Sequence, residues 1–299
     1  MPDRTAATSL RAGGPHGAHL PVGAAGALIL CLLSLLNAAC ASSKPKRDPD
    51  QSYVRYQLGV EYFQGRRIEA AVEELEKALA VDPENADAHN MLGIIALKQG
   101  HDYIEQGETT SCLRGRDGDL VRQDAVAKFR QAEKHLRAAV TFRAEFPAAW
   151  NNLAVAALAL NDWATAVQAA RRALKDSTYG EPEVARANLG WAFLQQKDLQ
   201  NAWKELHEAV SRAPRFCVAR YRLAKVFFER ADMDQAAETL ALMLDDPRCP
   251  IQDAYLLGGM IFEKRGDRDR ARTLFGKCTT LAPRSCTAVQ CRRFAAVIR

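Results

Sequence analysis

Between residues 52 and 285 the apolar positions recur with the spacing of amphipathic helices, and this pattern itself repeats. Each unit opens with a segment that carries a bulky apolar residue followed by Gly or Ala. A second segment follows in which Ala, then Leu or Phe, then Ala lie three or four residues apart. A proline or a polar stretch ends most units, because proline cannot continue a helix. The pattern predicts antiparallel helix pairs whose small residues allow close approach.

Six such units begin at residues 52, 86, 147, 183, 217 and 252. The spacing of about 34 residues and the order of small and large positions resemble the tetratricopeptide repeat (TPR). The resemblance implies an all-α fold, a right-handed superhelix of six helix-turn-helix repeats. Residues 286–299 follow the last unit and are expected to form a C-terminal capping helix.

The second unit is interrupted. Its Leu92 and Gly93 come in register, but the second-helix residues Ala132, Leu136 and Ala139 arrive 27 residues late. Because the intervening segment, about 101–127, contains several glycines and mixed charges, we expect a solvated loop at the turn between the two helices, preceded by an extension of the first helix. Its short acidic run lacks the regular ligands and closing Glu of a calcium loop, so we expect no metal there.

The N-terminal region differs from the repeats. Residues 22–36 are apolar, but a membrane-spanning helix needs about 20 residues, so this run fits the core of a secretory signal. The sequence that follows, Leu-Asn-Ala-Ala-Cys, resembles a bacterial lipoprotein box, which predicts acylation of Cys40. Residues 1–39 are then a lipoprotein signal peptide and residues 40–51 a tether. Cleavage after Ala39 without lipidation and a retained membrane anchor are the two alternatives.

Export places the six later cysteines in an oxidising compartment, where disulfides form. Cys217 and Cys249 lie at the two ends of one antiparallel pair, which brings them together and makes them the first candidate bridge. Cys278 and Cys291 are a weaker second candidate, and a buried small residue is the alternative role of Cys278. The spacing gives no pairing for the remaining two cysteines, Cys112 and Cys286.

Composition and motifs argue against several functional classes. The chain has 299 residues and a net charge of +5, but its basic residues are scattered, so no nucleic-acid surface is predicted. The histidines fall in separate segments, and no nucleophile elbow or glycine-rich phosphate loop is present. We therefore expect no enzyme, no catalytic residue, no metal or other cofactor and no small-molecule substrate.

The first helix of the first unit carries an apolar stripe that is separate from its packing positions. Tyr53, Tyr56, Val60 and Phe63 share one face of that helix. This first-repeat stripe predicts a groove for a helix or strand of a protein partner, unless the tether or a neighbouring repeat covers it. Trp191 and Tyr221 continue the partner-binding face in repeats four and five, where packing between adjacent first helices is an equal alternative.

Three segments resemble the type IV pilus pilotins of the PilF/PilW/Tgl group: residues 56–65, residues 78–83 and the Tyr-Gly-Glu-Pro joint at 179–182. That resemblance implies an outer-membrane lipoprotein that faces the periplasm, binds a secretin subunit and promotes secretin assembly. The insert and the late cysteines depart from the family pattern. An adaptor lipoprotein of another envelope complex, for cell-wall synthesis or secretion, is the alternative.

Overall fold

The structure is a computed structural model that describes residues 47–298, so the expected signal peptide, Cys40 and most of the tether lie outside the described residues. Helices account for nearly all of this part of the chain, which contains no strand. None of these helices combines the length and the hydrophobicity of a membrane span. The thirteen helices are α1 Pro49–Gln64, α2 Ile68–Val81, α3 Ala86–Ile104, α4 Gly115–Phe142, α5 Pro147–Ala159, α6 Trp163–Ala173, α7 Pro182–Gln195, α8 Leu199–Arg212, α9 Cys217–Glu229, α10 Met233–Leu244, α11 Gln252–Lys264, α12 Arg268–Leu281 and α13 Cys286–Val297.

The turns inside repeats three to six share one local design. A residue with positive φ, between 59° and 80°, reverses the chain at each turn. An aspartate follows at once and caps the second helix by accepting a backbone N–H three residues on, which satisfies a donor that the helix leaves free. The four capping residues are Asp162, Asp198, Asp232 and Asp267. Arg67 stands at this position in repeat one and makes no side-chain cap.

Contacts between small and large residues fix the register of each helix pair. A Cβ at Gly59 would lie 2.8 Å from Leu75, and one at Gly93 would lie 2.5 Å from Leu136. Sixteen residues separate the first pair and 43 separate the second, a difference of 27 residues. The late second helix of repeat two therefore docks on α3 in the ordinary TPR register.

The segment 101–127 is mostly helical, which corrects the expected loop. Helix α3 runs to Ile104, a π-helical turn covers Glu105–Thr110, and α4 begins at Gly115. Tertiary packing explains the helix, because Ala125 and Phe129 are buried and the Phe129 ring lies against Gly100, where a Cβ would come within 2.4 Å. The insert is thus a helical extension of repeat two. Likewise α1 begins at Pro49, inside the predicted tether, because Asp48 caps it.

The first helices of the repeats (α1, α3, α5, α7, α9 and α11) form an inner row. Each of them contacts the first helix of the next repeat, and α11 contacts α13 in the same way. Consecutive second helices make no comparable contacts within residues 47–298. The array therefore curves with the first helices on its concave side, and α13 extends the inner row as the capping helix.

Three disulfides hold the C-terminal two thirds of the array. Cys217 bonds to Cys249 with a Cα–Cα distance of 5.5 Å, and Cys278 bonds to Cys291 with 6.3 Å. The third bond joins Cys112, which lies in the insert, to Cys286, the first residue of α13, at 4.6 Å. It connects positions 174 residues apart and closes repeats three to six into a covalent ring. We call this third bond the clasp.

Candidate functional site

The concave groove has a largely apolar floor. In each first helix, the residue directly after the small residue of the helix-pair contact is partly buried. Because the first helices form the inner row, we assign these six positions to the floor of the groove. Five of these six side chains are apolar, and a face of this kind suits a protein segment better than a small polar ligand. The six residues are Val60, Ile94, Val155, Trp191, Lys225 and Met260.

The first-repeat stripe lies at the open end of this groove. Tyr53 is 55% exposed, whereas Tyr56, Val60 and Phe63 are partly buried. The rings of Tyr53 and Tyr56 are 6.1 Å apart and tilted. Val54, which the stripe omits, is also exposed, because α1 has no preceding repeat in the described chain to cover it. The stripe is thus accessible in part, and Tyr53 is its most exposed member.

An ion pair borders the stripe. Arg143 Nη2 donates to Asp87 Oδ1 at 2.6 Å, and the same guanidinium lies 3.7 Å from the centre of the Phe146 ring. Burial raises the pKa of Tyr56, and the charge of Asp87 raises it further. Tyr56 therefore presents a neutral hydroxyl beside its apolar ring and can donate a hydrogen bond to a partner.

A line of amide hydrogen bonds joins neighbouring first helices along the groove. Asn152 Nδ2 donates to Asn90 Oδ1 and Asn188 Nδ2 donates to Asn151 Oδ1, both at 3.0 Å. We call this the amide ladder. The sequence places Asn151 and Asn152 next to each other on α5, where they resemble part of the Lys and Asn set by which some TPRs hold a terminal carboxylate, but the lysines are missing. In the structure both amides are instead engaged in holding repeats two, three and four together.

Arg222 continues the ladder into repeat five. Its Nη1 donates to the Ala187 carbonyl at 3.0 Å and to Asn188 Oδ1 at 3.1 Å. Its guanidinium lies 5.2 Å from the centre of the Trp191 ring, and Lys225 Nζ lies 5.3 Å from that centre. Desolvation lowers the pKa of Arg222 to about 10, so it remains a cation at neutral pH. We call Trp191, Arg222 and Lys225 the cationic triad.

Sequence reasoning selected Trp191 but missed Arg222 and Lys225 as a pair of cations around it. The available signal was positional: Asn152 and Asn188 precede the bulky–small pair in repeats three and four, and Arg222 takes the same place in repeat five. The contacts of Arg222 and Lys225 with Trp191 could not be predicted, because they join residues of different helices.

A pocket of about 340 Å³ adjoins the cationic triad near the cap. Apolar side chains from α9 and α11 provide about half of its walls, and Gln290 of α13 closes one side. The charged side chains of Lys225, Glu229 and Asp253 complete the lining. Tyr221, the other selected residue of this region, is part of the wall, and burial raises the pKa of its hydroxyl. The apolar members are Tyr221, Phe228, Leu256, Leu257 and Met260.

His89 and His135 lie in separate segments of the sequence, and the structure brings them together. The Nδ1 atoms of His89 and His135 are 3.1 Å apart, and His89 Nε2 lies 3.1 Å from the Pro83 carbonyl. His89 therefore donates from Nε2 and accepts on Nδ1 from His135. Burial, followed by the charges of His89 and Lys134, lowers the pKa of His135 to about 4. Within residues 47–298 no three His, Cys, Asp or Glu side chains are grouped to hold a metal ion.

Comparison with protein-family models identifies TPRs in three parts of the chain. Residues 59–100, 123–182 and 253–285 each match a tetratricopeptide-repeat model. The second match begins within the late second helix of repeat two. These matches and the helical architecture confirm the predicted TPR superhelix. No curated protein sequence matches the chain.

Solved structures show the same fold over most of the chain. PilF of Pseudomonas aeruginosa is 20% identical, with a TM-score of 0.61, and the match covers 82% of this chain and 97% of PilF. PilW, described as a widely conserved type IV pilus biogenesis factor, is 22% identical with a TM-score of 0.60, covering 80% and 97%. The Cut9–Hcn1 hetero-tetramer of the APC/C also matches, at 16% identity and a TM-score of 0.51, covering 90% of this chain and 52% of that one. The chain is thus similar in fold to two type IV pilus proteins and to a chain of the Cut9–Hcn1 hetero-tetramer.

Proposed function

We propose that this protein is a lipid-anchored TPR scaffold that binds an outer-membrane secretin subunit and promotes its assembly during type IV pilus biogenesis. The observation that carries the proposal is the fold similarity to PilF and PilW, which extends over nearly the full length of both proteins. The lipoprotein box at Cys40 would place the scaffold on the periplasmic face of the outer membrane. No catalytic chemistry is needed for this role.

The first-repeat stripe is the proposed contact with the secretin. Tyr53 is largely exposed, and its neighbours Tyr56 and Phe63 present partly covered aromatic rings at the open end of the groove. Aromatic side chains that lose water on contact provide most of the binding energy at protein interfaces. A helix or strand of the secretin laid across α1 would cover them.

Charge substitution on the stripe tests this contact. We expect Tyr53→Glu and Phe63→Glu each to weaken secretin capture about tenfold or more, because a carboxylate buried in an apolar contact must lose its hydration. Leu242→Glu is the matched control, since Leu242 is 68% exposed on α10, a second helix that lies outside the inner row. Circular dichroism checks that each variant folds. If Phe63→Glu fails to fold, Tyr53→Glu still tests the contact, because Tyr53 is the most exposed residue of the stripe.

Deletion of the gene tests the role in assembly. Secretin should then remain monomeric, surface pili should be absent, and the Cys40→Ser variant should restore neither fully because it lacks the anchor. Normal heat-resistant secretin multimers in the deletion strain would contradict the proposal. Recovery of cell-wall enzymes or secretion components as the main partners of the wild-type protein would favour the alternative envelope adaptor.

A further inference from the structure

The groove contains two cations, Arg222 and Lys225, that form no ion pair within residues 47–298. Arg222 makes hydrogen bonds only through Nη1, to a carbonyl and an amide oxygen, so its Nε and Nη2 donors have no partner within residues 47–298. Lys225 has a ring contact with Trp191 and no ion pair within the same residues. Two acids line the adjoining pocket. Glu229 pairs with Lys197 at 3.1 Å, whereas Asp253 accepts from the neutral hydroxyl of Thr287 at 2.9 Å and keeps its charge.

The free edge of Arg222 has the shape that recognises a carboxylate. Nε and one terminal nitrogen of a guanidinium form a planar pair of donors that matches two carboxylate oxygens. The amide ladder holds the other edge of the guanidinium at 3.0–3.1 Å from Ala187 and Asn188, which fixes its direction. The centre of the Trp191 ring lies 5.2 Å from the Arg222 guanidinium and 5.3 Å from Lys225 Nζ, so both cations lie against the same ring. An arriving carboxylate therefore meets a charge that is already oriented.

We propose that the cationic triad binds an Asp or Glu side chain of a peptide segment whose neighbouring apolar side chain enters the pocket under the cap. Charge complementarity selects the acid, because the two cations outnumber Asp253, the one acid of this pocket that forms no ion pair. The 340 Å³ pocket and its apolar walls select the neighbour, since an aliphatic or aromatic side chain fits both its size and its polarity. This inference rests on the proposed role of the groove as a protein-binding surface, and it assigns repeats four to six a subsite of their own.

Peptide selection tests the inference. The full chain is held in detergent micelles and is used to select binders from a displayed library of random 12-residue peptides. We expect the bound peptides to be enriched in Asp or Glu beside Leu, Ile, Phe or Met. For one selected peptide, Arg222→Gln and Lys225→Gln should each weaken binding about 10- to 100-fold, the range for a lost charged hydrogen bond. Lys204→Gln, an exposed change on α8 with the same loss of charge, should leave binding unchanged.

A double-mutant cycle separates direct contact from a general charge effect. Replacing the acid of the peptide by its amide should weaken binding to the wild-type chain, and it should weaken binding less once Lys225 is Gln, because one of the two cations that contact the acid is then absent. Lys225→Gln keeps the test decisive if Arg222→Gln disturbs the ladder. Peptides without acidic enrichment, or additive losses in the cycle, would overturn the inference.

The outcomes also distinguish this subsite from the first-repeat stripe. Binding that is lost with Tyr53→Glu but unchanged with Arg222→Gln and Lys225→Gln would overturn the subsite and leave the proposed function intact. The reverse result would support the subsite and count against the stripe. A selection that recovers no peptide sensitive to either set of variants would count against both.

Discussion

At the scale of single residues, Ala231 occupies a costly backbone conformation. It reverses the chain between α9 and α10 with φ of 60°, a region where a Cβ costs an L-residue about 1–2 kcal/mol. Gly266 takes the equivalent place in repeat six with φ of 80°, and nothing lies within 4 Å of a Cβ added there. The two turns therefore form a matched pair. At both, the backbone conformation determines how an exchange between Ala and Gly changes the free energy of unfolding.

We expect Ala231→Gly to raise the free energy of unfolding by about 0.5–1 kcal/mol, after the greater freedom of glycine in the unfolded chain is subtracted. Gly266→Ala should lower the free energy of unfolding by a similar amount for the same reason. Urea unfolding monitored by circular dichroism measures both changes. Effects of the same sign in the two variants would show that something other than backbone conformation controls these turns.

At the scale of the helices, repeat one is separated from the rest of the array. Buried residues of α2 and α3 form a small core of their own, whereas the main core runs from the end of α3 to Cys291. All three disulfides lie beyond residue 111. A terminal repeat has only one neighbour to stabilise it, and α1 and α2 have no covalent link to compensate. Repeat one is therefore the first part of the described chain to open.

Hydrogen exchange read by mass spectrometry tests this order. Amides of α1 and α2 should exchange at least about tenfold faster than those of α7 to α10, because local opening of repeat one costs less than opening of the central repeats. Binding of the secretin at the first-repeat stripe should reduce the difference. Equal protection of repeat one and the central repeats in the free protein would contradict the separation.

The same helices show how far the sequence predicts the structure. The repeats could be predicted because each carries its own small and large residues in register, as Gly59 and Leu75 do. The helical insert could not, because its first turn contains Gly115 and Gly118, which are weak helix formers. Contacts with distant parts of the chain stabilise it instead. For the candidate site, helical spacing located the first-repeat stripe, whereas Arg222 beside Trp191 depends on how two helices pack.

At the scale of the whole molecule, the clasp closes repeats three to six into a covalent ring. Closing a loop of 174 residues contributes about 5 kcal/mol in the chain-entropy description, against about 4 kcal/mol for the 32-residue loop of Cys217 and Cys249. Of the three disulfides within residues 47–298, only the clasp joins parts of the array that are distant in sequence. We therefore expect its loss to change the shape of the molecule as well as its stability.

Small-angle scattering of the double variant Cys112→Ser/Cys286→Ser should give a larger radius of gyration than the wild type, since the ends of the ring are then free to separate. The matched control, Cys217→Ser/Cys249→Ser, breaks a bond inside one repeat and should lower the free energy of unfolding without a comparable expansion. An unchanged radius in the first variant would show that packing alone holds the ring closed.

The clasp also divides the molecule mechanically. A load applied between the insert and α13 is carried by a covalent bond, so repeats three to six behave as a stiff frame. A load applied to α1 passes to α2 through non-covalent contacts, such as the ion pair of Arg55 with Glu74 at 2.9 Å and the hydrogen bond of Ser52 Oγ to the Ala78 carbonyl at 2.8 Å. The compliant end of the molecule is therefore repeat one, where the stripe lies, and it can yield to the movement of a bound partner while the frame keeps its form.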